Sequence, residues 1–106
     1  MTDIDLNKQL LLDYYKASDC PKSLTKHFIQ ITDMLCQIDF DDLIVDYNRM
    51  DKSISIKLYC KNDIFIDMAI FNNDMSVLCT IYRMETLLFA GETLLSEMID
   101  CVNYIS

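Results

Sequence analysis

Three carboxylates fall within four positions of the chain, Asp39, Asp41 and Asp42, and Asp46 follows after the apolar run Leu43-Ile44-Val45. Carboxylate oxygens are the ligands hard divalent cations prefer. The Asp-x-Asp spacing of Asp39 and Asp41 has the form used by metal-dependent phosphate- and sugar-transfer enzymes. That chemistry also needs a cradle for phosphate, built from glycines, bases or a helix N-terminus. This chain has one glycine, and nine bases against seventeen acids. It also lacks the Asp/Gly loop and closing Glu of an EF-hand. The cluster therefore reads as acidic surface, turned toward solvent or a basic protein, with no metal and no cofactor expected.

The single histidine, His27, and five cysteines, Cys20, Cys36, Cys60, Cys79 and Cys101, are the other groups with ligand or nucleophile chemistry. No two cysteines form the close pair of a structural zinc site. Scattered and odd in number, they read as small hydrophobes in a reducing compartment. His27 sits next to Phe28 at the border of an apolar stripe, with no nucleophile elbow or papain-like cysteine context. No catalytic constellation results, and an enzyme is not expected.

Charge is the stronger signal. The net charge is −8, and it is unevenly placed. Residues 1–38 carry five acids and four bases, whereas residues 39–106 carry twelve acids and five bases. After Arg83 there is no base at all, while Glu85, Glu92, Glu97 and Asp100 follow. Such a surface repels nucleic acid and anionic lipid and attracts a basic protein. It also serves solubility. No apolar run approaches the roughly 18 residues of a membrane span, and the N-terminus lacks the basic region of a signal peptide. The reading is a cytoplasmic protein, acting as a monomer.

The elements that must carry these groups are legible from periodicity. Residues 5–19 read as a helix with Leu6, Leu10 and Tyr14 as its stripe, widened by Leu11 and Tyr15. Pro21 marks the first turn of a second helix. There Leu24, Phe28, Ile31, Leu35 and Ile38 recur at spacings of four and three, which makes a core-facing amphipathic helix. From Leu43 the period becomes two. Residues 43–48, 53–61, 64–71 and 75–84 read as four strands, with Asn62-Asp63 and Asn72-Asn73-Asp74 as turns. In the second strand Ile54, Ile56, Leu58 and Cys60 share one face. Phe65, Asp67, Ala69 and Phe71, or their alternates, belong to a face suited to an interface. Met68, Met75, Met84 and Met98 are expected in the core. Residues 85–106 return to a helical period, with Leu87, Gly91, Leu94, Met98, Cys101 and Ile105 on one face and Glu92, Ser96, Asp100 and Asn103 as a polar stripe. Gly91 leaves open a helix that begins only near Glu92.

The expected fold is α+β over residues 1–106 as one domain: two N-terminal helices, a four-stranded antiparallel β-meander, and a C-terminal helix packed on one sheet face. Its other face is at least partly exposed.

The Asp39–Asp46 cluster and the cation-free stretch from Met84 to Ser106 give this small chain an overall character that resembles the bacterial immunity proteins of contact-dependent growth inhibition. The resemblance spans the chain and carries no diagnostic motif. It implies a cytoplasmic protein that binds one cognate basic toxin, often a nuclease, and occludes its active site. Acidic side chains then stand in for substrate phosphates or pair with catalytic Lys and Arg. The candidate contact residues are Asp39, Asp41, Asp42, Asp46, Glu92 and Asp100. The chain also looks like the acidic chaperones of type III secretion, which hold an effector segment on hydrophobic patches. Against that stands the uninterrupted strand series, because those chaperones place a helix within it.

Overall fold

A computed structural model describes residues 3–71 and 75–105. The expected turn Asn72–Asp74 and the C-terminal carboxylate lie outside the described residues. The order is α1 (Asp3–Ala17), a short 3-10 turn (Lys22–Leu24), α2 (Thr25–Leu35), β1 (Phe40–Asn48), β2 (Ser53–Cys60), β3 (Ile64–Phe71), β4 (Ser76–Arg83), β5 (Thr86–Leu94) and α3 (Leu95–Ile105). The five strands lie side by side in chain order, every neighbour antiparallel. Helices cover one face, and the molecule is a slab of 35 × 35 × 20 Å.

The 4-3-4-3 stripe faces the core, but α2 is shorter than expected: Leu24 lies in the 3-10 turn before it and Ile38 in the turn after Leu35. Leu24, Phe28, Ile31, Leu35 and Ile38 are all buried, and each such side chain contributes roughly 1.5–3 kcal/mol by leaving water. Pro21 stands just before the 3-10 turn in extended conformation, where its missing N–H is no loss. The inner sheet face pairs in rows. Leu43, Leu58, Ile66, Ile81 and Phe89 make one row, and Val45, Ile56, Met68, Cys79 and Gly91 another. These rows and the helix stripes form one apolar core.

The first helix is rotated from its expected orientation. Leu11 and Tyr15 are the buried residues, while Leu6, Leu10 and Tyr14 are exposed. Tyr15 sets this rotation. Its ring stacks on Phe28 with centroids 4.2 Å apart, and its hydroxyl donates to the Pro21 carbonyl at 2.6 Å. An aromatic that both stacks and finds a polar partner outweighs a stripe of two leucines. An ion pair between Lys8 and Asp33 at 3.1 Å joins α1 to α2 at the surface.

The sheet has five strands, not four, and the C-terminal helix is shorter than expected. Residues 86–94 form β5, paired to β4 from Ser76↔Leu94 to Arg83↔Thr86. Leu87, Leu88, Phe89 and Leu94 satisfy a helical or a strand pattern equally. The unpaired edge of β4 decides between them, because its backbone groups need partners. Gly91, at φ 152°, is far from helical. The inner face of α3 is therefore Leu95, Met98, Ile99 and Val102, with Leu94 and Cys101 exposed. Met84 is exposed rather than core: with Glu85 it forms the two-residue turn between Arg83 and Thr86, at φ 55°. Asn62 and Asp63 make the β2–β3 turn at φ 61° and 62°, the left-handed region these residues tolerate best after glycine.

Candidate functional site

The first strand begins at Phe40 and not at Leu43, so Asp41 and Asp42 lie in the sheet and Asp39 stands just before it. Phe40 pairs with Cys60 and Asp42 with Tyr59, so Asp41 is the extra residue of a β-bulge. Without the bulge, alternation would turn one of two consecutive aspartates into the core. With it, Phe40 and Leu43 are both buried and Asp41 and Asp42 are both exposed. Asp42 braces the bulge by accepting the Leu43 N–H at 2.8 Å. Asp39, one residue earlier, pairs with Lys61 at 2.9 Å, with both side chains in water. Asp46 points outward further along the same strand, opposite Ser55.

Among the described residues no helix lies on the outer face of the sheet. One of its rows runs Asp42, Tyr59, Phe65, Tyr82 and Leu87; a second runs Ile44, Lys57, Asp67, Thr80 and Ala90; a third runs Asp46, Ser55, Ala69, Leu78 and Glu92. The expected set Phe65, Asp67, Ala69 and Phe71 does lie on this face, and Tyr59 and Phe65 touch there with ring centroids 4.9 Å apart. Short side chains in the middle leave a trough of about 430 Å³ whose floor includes Ser55, Ala69, Thr80 and Ala90. Asp67 and Leu78 stand on its sides.

Of the six candidate contact residues, Asp42 and Asp46 share one strand and one face, with Asp41 and Asp39 at the end of that strand. Glu92 is also on the outer face, but on β5. It is not part of a helical stripe with Asp100. Four inter-strand steps, about 19 Å, separate it from Asp46. Asp100 is exposed on α3, in the helix layer, and joins neither group. Asp67 belongs to the expected interface face, whereas the exposed leucines Leu78, Leu87, Leu88 and Leu94 were not expected on it. Leu78 was recoverable from parity: it alternates with Val77 and Cys79 and shares its side with Ser76 and Thr80.

The thiols are free. Burial pushes the Cys60 thiol up to about 12, with Asp39 and Asp41 adding to the shift. Burial likewise raises Cys20, Cys36 and Cys79. A thiol held neutral is a poor nucleophile and a poor metal ligand. His27 is half-buried, and its Nε2 has no hydrogen-bond partner among the described residues. No group of three or more His, Cys, Asp or Glu among the described residues is placed to hold a metal ion. No helix among them is long and apolar enough to cross a membrane.

Comparison with known protein families, with curated proteins and with solved structures finds no match to this chain.

Proposed function

We propose that the protein is an immunity-type inhibitor, which binds a cognate basic toxin and covers its active site. The β1 bulge carries this reading. It turns Asp41 and Asp42 outward together and lines them up with Asp39 and Asp46 along one sheet edge. A nuclease site built from Lys and Arg to hold phosphates presents the complementary charge. Attraction between the two raises the association rate and weakens as salt is added.

The test is co-expression. The toxic C-terminal domain of an exported protein encoded immediately upstream is produced with and without this chain. Restored growth is the expected result, and killing that continues in its presence refutes the reading. A secretion chaperone or adaptor is the second reading, favoured by the exposed leucines on β4 and β5. It predicts binding of an extended effector segment with little dependence on salt.

A further inference from the structure

The sheet has two edges, and only one is chemically guarded. β1 carries three acids in nine residues, its bulge falls at Asp41, and α1 packs beside it. β5, also nine residues long, carries one acid, Glu92, with no lysine, arginine or proline. Its bulge falls at Leu88, and Leu87, Leu88 and Leu94 are each at least 42% exposed. Natural edge strands are normally blunted by charge, proline or a covering element, because an open row of N–H and C=O groups recruits another strand.

We propose that β5 pairs with β5 of a second copy, antiparallel about a two-fold axis, so that two five-stranded sheets become one continuous sheet. The charge distribution selects this occupant and this edge. Each copy carries −8, so two copies meet readily only where their acids are kept apart. Joining β5 to β5 places the two acidic β1 edges at opposite ends of a ten-stranded sheet, roughly 40 Å apart, several Debye lengths at physiological salt. Joining β5 to β1 would instead meet the carboxylates of β1 and extend without closure into a filament. The exposed leucines Leu87, Leu88 and Leu94 lie along the seam where the paired edges meet.

The axis falls at Ala90, an outward-facing small side chain near the middle of the strand. Gly91 then lies opposite Phe89 of the second copy, while within each chain the Phe89 ring already lies 3.7 Å from where a Gly91 Cβ would stand. Glu92 lies opposite Leu88 of the second copy. The two Glu92 carboxylates are offset by four residues along the strands, about 13 Å. This pairing leaves the β1 edge open, so it stands independently of the toxin-binding reading.

Sedimentation velocity on the whole chain tests the proposal. The expected species has twice the 12.4 kDa of one chain, and its dissociation constant falls as salt screens the net charge. Leu88→Glu sets a carboxylate against Glu92 twice by symmetry and takes a leucine out of the seam on each copy. It is expected to raise the dissociation constant at least about tenfold. Ile44→Glu makes the same chemical change on the outer face of β1 and is expected to leave dimerisation intact. A wild-type chain that stays monomeric in high salt at millimolar concentration overturns the proposal, as does equal weakening by the two variants. If Leu88→Glu loses its fold by circular dichroism, hydrogen exchange of the wild type decides. Slower exchange of β5 amides at higher protein concentration supports the pairing, and identical exchange at both concentrations overturns it.

Discussion

The two edges of the sheet are of equal length and both bulged, yet they are built for opposite encounters. On β1 the extra residue is Asp41, and the distortion turns two carboxylates into water. On β5 the extra residue is Leu88, and the distortion leaves two consecutive leucines exposed. One backbone device displays charge at one end of the sheet and apolar surface at the other. A bulge alone therefore does not say whether an edge is protected; the side chain it exposes does.

The comparison is sharpened most by removing what the edges share. Both depend on the central strands, and Ile66, fully buried on β3, pairs with Leu58 and Ile81. Ile66→Ala is expected to cost about 2–5 kcal/mol. Urea melts followed at both edges should shift together; an edge that melts separately breaks the picture of one sheet with two ends.

A smaller effect separates the edges. Asp41, Asp42 and Asp46 changed together to Asn should slow association with the proposed basic toxin about tenfold at low salt. Stopped-flow mixing would show this difference vanish in high salt. Glu92→Gln, alone on the other edge, should change the rate less than about twofold by the same reasoning. Equal losses would mean that the whole outer face, not the β1 edge, steers the encounter.

Tyr15→Phe removes the hydroxyl that bonds Pro21 while keeping the stack on Phe28. A loss of about 1 kcal/mol in chemical denaturation is expected, because α1, which packs beside β1, is then held less firmly. The smallest change to the fold comes from labelling thiols. At pH 8 a maleimide should modify exposed Cys101 on α3 first, without lowering the melting temperature. Cys60, beside the β1 bulge, should stay silent. Its thiol is neutral in the fold, whereas in the unfolded chain it ionises near 9. The stability Cys60 contributes is therefore intact below pH 9 and declines as pH rises toward 12. Comparing the alkaline melting profile of Cys60→Ala with wild type isolates that share.

The sequence made some of these features plain and hid others for physical reasons. The α2 stripe and the alternation of β2 were legible because one period fits each of them and the other does not, whereas β3 is apolar at every position but Asp67 and its faces follow only from its pairing with β2. In β5 the leucine pairs at 87–88 and 94–95 fit both periods, and only the ladder to β4, a long-range fact, selects the strand. In α1 the competing stripes differ by one residue, and the choice rests on a ring across the core at Phe28. The acids were legible as a cluster. Their division between one sheet edge, the opposite edge and the helix layer was not, because it depends on the bulge at Asp41 and on where α3 begins.

The strand order has a consequence for how the molecule is made. Every strand after β1 pairs with the one just before it in the chain, so no strand waits for a distant partner, and such local wiring favours rapid folding. On a ribosome that releases the chain from its N-terminus, α1, α2 and the acidic strand emerge first, and the sheet grows by one hairpin at a time. The leucine-rich strand β5 follows the other four strands, and α3 follows it. That edge therefore forms on a sheet whose other four strands have already had the chance to pair.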